Sequence, residues 1–189
     1  MRPLLILFAG KAGTGKSTLA SFISESFSLP YIDYDTACQS FLEEIEKRVG
    51  LGSGDRYEFY RVWRDASYET VVNLISENLS LGVSIVASAP FSREIKEKDF
   101  PERLKDRVSK DFDILLVYMA PDERTHISMV RERGSKRDED FLYDEKRFSE
   151  TLNAERPVWD DKCILYLDSG NFEINKNLVI KRVKALMEE

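Results

Sequence analysis

The sequence predicts a doubly wound α/β domain built around a parallel sheet. Short apolar runs without polar alternation recur along the chain, which is typical of strands that are covered on both faces. Segments with apolar residues at helical spacing lie between these runs, so that strand and helix alternate from end to end. A chain of 189 residues fits one domain, and we expect residues 1–189 to form it.

Each expected element follows from a local pattern. The strands are expected at residues 4–8, 31–32, 83–87, 114–118 and 164–167. One helix starts at the glycine-rich segment after the first strand, and a longer one around residues 68–79 can end at Gly82. A third helix opens at Pro121 and closes at Gly134, and the last runs over residues 175–187. Residues 50–63 and 132–144 break the alternation, and irregular insertions of this kind are natural lids and substrate loops.

The overall composition narrows the class of protein. A formal net charge of -6 and a pI near 5.1 argue against general nucleic-acid binding, which needs a basic surface. The apolar run at residues 3–9 is too short for a membrane span and leads into glycines rather than a cleavage site.

Cys38 and Cys163 lie far apart and are expected to be free thiols in a reducing cytoplasm. His126 falls among polar positions of a predicted helix, so we expect a solvated surface residue.

The strongest functional motif lies at residues 10–17, called the glycine loop below. It reads Gly-Lys-Ala-Gly-Thr-Gly-Lys-Ser and fits the Walker A pattern in full, between an apolar run and an amphipathic segment. Its glycines let backbone N–H groups face phosphate oxygens, and the following helix adds its positive end. Lys16 would reach the terminal phosphates and the Ser17 hydroxyl would bind Mg²⁺. A glycine turn without a ligand is the less favoured alternative. The expected ATP-binding residues are Gly10, Lys11, Ala12, Gly13, Thr14, Gly15, Lys16, Ser17 and Thr18.

A pair of carboxylates follows the second expected strand, where residues 31–36 read Tyr-Ile-Asp-Tyr-Asp-Thr. With the glycine loop, this segment resembles the P-loop small-molecule kinases, among them shikimate kinase, gluconate kinase, adenylylsulfate kinase, chloramphenicol phosphotransferase and zeta toxin. The resemblance implies a three-layer α/β/α sandwich with a five-stranded parallel sheet of order 2-3-1-4-5 and a short lid. It also implies that Asp33 helps to hold the Mg²⁺ shell and that Asp35 takes the proton of an acceptor hydroxyl. The alternative for Asp35 is a cap on the next helix.

The third expected strand departs from these kinases. Many of them end this strand in Asp-Ala-Pro-Phe, whereas residues 88–91 read Ser-Ala-Pro-Phe here. The hydroxyl of Ser88 brings no charge, so the metal-holding task would depend on Asp33. Arg93 follows closely and is expected near the acceptor pocket, although an ordinary exposed arginine is the commoner outcome.

A basic segment at residues 131–138, Arg-Glu-Arg-Gly-Ser-Lys-Arg-Asp, resembles the lid of the same kinases. There, arginines fold over ATP, and the planar guanidinium suits the binding of phosphate oxygens in pairs. Arg133 and Arg137 flank the glycine-serine hinge and are the expected lid arginines, within a lid at about residues 133–144. Alternatively, these basic residues merely complement a helix dipole.

These patterns together predict an ATP-dependent phosphotransferase that acts on a hydroxyl or phosphate of a small molecule. Its acceptor would bind in the region of residues 34–64, between Asp35, Arg61, Arg64 and Arg93. The basic residues hint at an anionic acceptor, and Tyr57, Tyr60 and Trp63 could stack on a ring, although aromatic residues at helical spacing more often belong to the core. A nucleotide-binding switch or assembly ATPase without an acceptor is the alternative. A toxin or resistance kinase would carry the same motifs.

Overall fold

A five-stranded parallel sheet forms the centre of the structure, a computed structural model that describes residues 2–49, 56–133, 156–168 and 170–188. The strands are β1 (Leu4–Gly10), β2 (Tyr31–Asp33), β3 (Ile85–Ser88), β4 (Asp113–Met119) and β5 (Ile164–Leu167). Every neighbouring pair is parallel, and the order across the sheet is β2-β3-β1-β4-β5. The predicted fold class and strand order are therefore confirmed.

Helices cover both faces of this sheet. They are α1 (Lys16–Phe27), α2 (Tyr34–Val49), α3 (Arg56–Leu81), α4 (Phe100–Arg107), α5 (Glu123–Arg133) and α6 (Phe172–Glu188). Along β1, Leu5 and Leu7 belong to the apolar layer beneath α2, α3 and α4, whereas Leu4 and Ile6 belong to the layer beneath α1 and α6. Both faces of β1 are buried, which explains its unbroken apolar run.

The expectation of an irregular stretch up to residue 63 was wrong. Residues 56–63 form the first two turns of α3, and residues 50–55 lie outside the described ranges. Phe59 is buried, and Tyr60 and Trp63 pack against the same apolar layer. The buried face of α3 therefore continues into its N-terminal turns, and Tyr60 and Trp63 contribute to the core. The predicted end of this helix is confirmed, since Leu81 is its last residue and Gly82 has a φ of 84°.

Helix α4 and the lengths of the helices add to this description. α4 follows a short 3₁₀ turn, Glu94–Lys96, and was not anticipated from the sequence. In the described part of the chain, no helix is both long enough and apolar enough to cross a membrane.

Candidate functional site

The glycine loop connects the carboxyl end of β1 to the first residue of α1. Its glycines adopt the left-handed conformations that the sequence suggests, with φ of 135° at Gly10, 78° at Gly13 and 82° at Gly15. Gly15 is the N-cap residue of α1, and no described side chain caps this helix. The first N–H groups of α1 are therefore oriented as an anion-binding end of a helix.

Helix α5 supports the loop from one side. A Cβ atom at Gly13 would lie 2.6 Å from Cγ2 of Val130, so only glycine fits this contact. His126, one turn earlier on α5, is only 3% exposed, and its Nε2 atom lies 2.7 Å from the carbonyl oxygen of Ala12. Because a carbonyl can only accept, Nε2 carries the proton and donates. The expectation that His126 is a solvated surface residue was wrong, because it shares the buried face of α5 with Val130.

Two lysines of the loop lie in different environments. The ammonium group of Lys16 donates to the carbonyl oxygen of Lys11, which also accepts from the hydroxyl of Thr14 at 2.9 Å. The Nζ atom of Lys11 is buried and has no hydrogen-bond partner among the described residues. This burial lowers the pKa of Lys11 to about 8, and the nearby carboxylate of Glu123 opposes the shift only in part.

A hydrogen-bonded cluster surrounds the carboxylate of Asp33 at the end of β2. Its Oδ2 atom accepts hydrogen bonds from the hydroxyls of Ser17, at 2.9 Å, and Ser88, at 2.7 Å. The phenol of Tyr31 lies 3.1 Å from the same oxygen and 2.8 Å from the hydroxyl of Ser88. The Oδ1 atom accepts from the backbone N–H of Thr36 at 3.1 Å. Asp33 therefore joins the glycine loop to the edge of the sheet.

Burial and hydrogen bonding act in opposite directions on Asp33. Burial alone raises the pKa of its carboxyl group, but the hydrogen bonds from Ser88, Thr36 and the other donors outweigh burial and lower it. Burial raises the pKa of the Tyr31 phenol to about 12, so this group is a neutral donor near pH 7. The cluster thus holds one carboxylate charge among neutral hydroxyl groups.

The groups around Asp33 fit a Mg²⁺ ion chemically. Mg²⁺ prefers oxygen ligands and commonly takes one or two carboxylates together with water and phosphate oxygens. The Ser17 hydroxyl uses its proton for Asp33 and so keeps its lone pairs for a cation. Ser17 and Asp33 are the residues that would hold the ion.

Asp35 occupies a different position from Asp33. It lies exposed in the first turn of α2, since this helix begins at Tyr34 immediately after the strand. The backbone N–H of Thr36 donates a hydrogen bond to the Oδ1 atom of Asp33. Asp33 therefore caps the N-terminus of α2, which is the role considered above for Asp35. Asp35 lies on α2, and the hydrogen bonds described above for the Asp33 cluster do not include it.

Arg64 and Arg93 lie together at a cavity of about 300 Å³ between α3 and α4. The guanidinium of Arg64 donates to Glu94 at 2.8 Å and stacks over the ring of Tyr68 at 3.9 Å. Arg93 donates to Asp65 at 2.9 Å. Both arginines are thus held by carboxylates, in an arrangement that offers donors and acceptors side by side.

The other expected acceptor and lid residues are not gathered at this cavity. Neither Asp35 nor Arg61 lines it, and Arg61 is exposed on α3. The backbone of Arg133 ends α5, but its side chain is outside what the structure describes, as is the whole of Arg137. Most of the expected lid, at residues 133–144, therefore lies outside the described ranges.

Sequence reasoning missed Tyr31 and Glu94 as members of these groups. Tyr31 lies two residues before Asp33, and residues at this spacing share one face of a strand. That spacing could have placed the phenol beside the carboxylate. Glu94 offered no such signal, because its pairing with Arg64 joins residues 30 positions apart.

Comparison with known proteins identifies a family and several proteins of the same fold. The model of the AAA domain family matches residues 5–157. No curated protein is significantly similar to the chain. A candidate kinase from Chloroflexus aurantiacus has a similar structure, with a TM-score of 0.68 and 15% identity over 97% of each chain. At this identity the likeness concerns the fold.

Two further solved structures have the same fold. A gluconokinase from Sinorhizobium meliloti has a TM-score of 0.60 and 18% identity, over 100% of this chain and 96% of its own. A sugar kinase from Janibacter sp. has a TM-score of 0.58 and 12% identity, over 97% of this chain and 95% of its own.

Proposed function

This chain belongs to the AAA domain family, and from that premise we propose that it transfers the terminal phosphate of Mg-ATP to a small-molecule acceptor. The observation that carries the proposal is the hydrogen bond from Ser17 to Asp33, at 2.9 Å, at the end of a complete glycine loop. It joins the motif that binds phosphate to a carboxylate at the carboxyl edge of the sheet, where ligands bind in folds of this type. The acceptor would be a hydroxyl or phosphate of a small molecule.

The residues of the site take distinct roles in this proposal. The N–H groups of the glycine loop and the ammonium of Lys16 bind and orient the phosphates of ATP. A bound Mg²⁺ ion supplies positive charge that offsets the charge of the transferred phosphoryl group. Ser17 and Asp33 hold the ion, and Asp35 accepts the proton of the attacking hydroxyl. Arg133 and Arg137 are proposed to neutralise phosphate charge from the lid side.

The acceptor is proposed to approach from the side of α2 and α3. Arg64 and Arg93 lie on this side, although both are already paired with carboxylates. An acceptor that can both donate and accept hydrogen bonds suits such pairs. Two proteins of the same fold are a gluconokinase and a sugar kinase, which supports a polar metabolite as the acceptor.

A direct test incubates the protein with Mg-ATP and a pool of metabolites and searches by mass spectrometry for any species that gains a phosphate. We expect one such species, and we expect Lys16→Ala to remove it together with ATP binding. Lys184→Ala, on the exposed side of α6, is the matched control and should behave as the wild type. Undiminished ATP affinity in Lys16→Ala would contradict the assignment of the glycine loop.

A second candidate function is a nucleotide-dependent switch or assembly ATPase. One observation favours it: position 88 at the end of β3 carries a buried hydroxyl rather than a carboxylate. The two functions differ in what ATP turnover requires. A switch hydrolyses ATP slowly whatever metabolite is present, whereas turnover by a kinase rises when its acceptor is added.

A further inference from the structure

The carboxylate of Asp33 is held by more donors than a metal site of this kind needs. Three hydroxyl groups lie within 3.1 Å of its Oδ2 atom, from Ser17, Ser88 and Tyr31. Only the first belongs to the glycine loop. The other two come from the sheet, one from each of its last two strands on this side. Their function is not explained by the phosphate-binding motif.

The directions of these hydrogen bonds follow from the carboxylate, which only accepts, and from the single proton of each hydroxyl. A carboxylate oxygen has two lone pairs, and the hydroxyls of Ser17 and Ser88 are its two nearest donors, at 2.9 and 2.7 Å. The phenol of Tyr31 is closer to Ser88, at 2.8 Å, than to the carboxylate, at 3.1 Å. The best arrangement is therefore a chain in which Tyr31 donates to Ser88 and Ser88 donates to Asp33.

The sheet places the members of this chain side by side. Asp33 and Ser88 are partners in the parallel register of β2 and β3. Ser88 is 1% exposed, and its Oγ atom lies 3.5 Å from that of Ser17. Position 88 therefore lies at the outer limit of hydrogen-bond distance from the Ser17 hydroxyl, and an aspartate, which is one atom longer than serine, would extend closer to it. A carboxylate at either position could reach this hydroxyl.

We propose that Tyr31 and Ser88 are positioning residues that fix the Asp33 carboxylate on Ser17, and that β2 thereby supplies the metal-holding charge in place of β3. The proposal rests on the proposed function, because it concerns how the same site holds Mg²⁺. Both residues act through the Asp33 carboxylate, to which they are hydrogen-bonded. Their effect is to hold one carboxylate rotamer, so that the Asp33 charge and the Ser17 hydroxyl that it orients would be fixed beside a bound ion.

The experiment measures binding of a non-hydrolysable ATP analogue by calorimetry over a range of Mg²⁺ concentrations, starting in EDTA. Groups that orient a metal ligand commonly change metal affinity by about 10- to 100-fold. We expect Tyr31→Phe and Ser88→Ala to raise the Mg²⁺ concentration for half-maximal binding by about tenfold, with unchanged affinity in EDTA. Tyr166→Phe removes an exposed phenol from β5, at the opposite edge of the sheet, and should match the wild type.

Moving the carboxylate from position 33 to position 88 tests whether β2 supplies the metal-holding charge in place of β3. Asp33→Asn should abolish the Mg²⁺ dependence, and the double variant Asp33→Asn with Ser88→Asp should restore it, because position 88 lies beside the same hydroxyl. Thermal unfolding establishes that each variant is folded, and Tyr31→Phe decides the positioning role even if the double variant does not fold.

The outcomes separate this inference from the function on which it rests. Wild-type Mg²⁺ dependence in both Tyr31→Phe and Ser88→Ala overturns the positioning role and leaves the proposed function intact. A double variant that is folded but remains insensitive to Mg²⁺ overturns the exchange between β2 and β3. A wild-type protein that binds no analogue at any Mg²⁺ concentration overturns the proposed function and this inference with it.

Discussion

The imidazole of His126 donates a hydrogen bond to the carbonyl oxygen of Ala12 at 2.7 Å and so fastens α5 to the glycine loop. The histidine is buried, and the peptide that it holds precedes Gly13 directly. The orientation of this peptide therefore depends on a side chain 114 residues further along the chain.

His126→Ala should destabilise the protein by about 0.5–1.5 kcal/mol, because the part-buried hydrogen bond to the carbonyl oxygen of Ala12 is lost. It should also weaken binding of ATP, since the loop loses a support. Chemical denaturation and a nucleotide titration measure the two effects. His126→Gln retains an N–H donor and should recover part of both. Equal stability of the alanine variant and the wild type would show that the contact contributes nothing.

Gly13→Ala should destabilise the fold through a clash with Val130. The added methyl group would lie 2.6 Å from Cγ2 of that residue, at a backbone φ of 78°. The same change should cost less in a chain that carries Val130→Ala, leaving a conformational strain of about 1–2 kcal/mol. A double-mutant cycle by urea denaturation measures the difference. Identical costs in the two backgrounds would contradict the contact.

Lys11→Met should stabilise the protein most below pH 8. The pKa of Lys11 is lowered to about 8 in the folded protein, whereas the unfolded chain keeps the ordinary value of 10.5. Below the folded pKa the buried ammonium is charged in both states and its desolvation opposes folding. As the pH rises from about 8 to 10.5, this cost fades.

The advantage of the methionine variant should therefore shrink over that pH range. Denaturant titrations of both proteins at pH 7 and pH 10 provide the comparison. Lys184→Met, at an exposed lysine, should show no such change with pH. An advantage of Lys11→Met that grows towards pH 10 would show that the charged ammonium of Lys11 does not oppose folding.

Asp35→Asn should lower phosphoryl transfer by roughly 10²-fold or more while leaving ATP affinity nearly unchanged, if Asp35 is the acceptor-side base. Asp33→Asn should instead alter the dependence on Mg²⁺ as well as the rate. Steady-state kinetics with the identified acceptor, at several Mg²⁺ concentrations, separate the two. Near-normal transfer by Asp35→Asn would remove it from the catalytic residues.

Much of the fold could be predicted because its signals are local. The apolar runs of β1 and β4 and the spacing of α3 lie within single segments, and the sheet follows from their alternation. The start of α3 was missed because glycines precede it, while the layer that buries Phe59 comes from distant parts of the chain. Local composition and tertiary burial gave opposite signals there.

The site was predictable only where one segment contains it. The glycine loop and Asp33 fall within short motifs that could be singled out from the sequence, and the structure brings Ser17 and Asp33 into contact. His126 could not be placed in the same way, because its burial depends on how α5 packs on the loop. The pairing of Arg64 with Glu94 likewise depends on an approach of α3 to the chain after β3 that no local pattern records.

The position of β2 makes the site sensitive to partial unfolding. This strand has three residues, pairs only with β3 among the described strands, and stands at the rim of the sheet. Short edge strands open with lower free energy than central ones. If β2 separates from β3, the Asp33 carboxylate leaves the Ser17 hydroxyl while the interior strands remain paired. Ligand affinity can therefore fall on heating or in mild denaturant before the global unfolding transition begins.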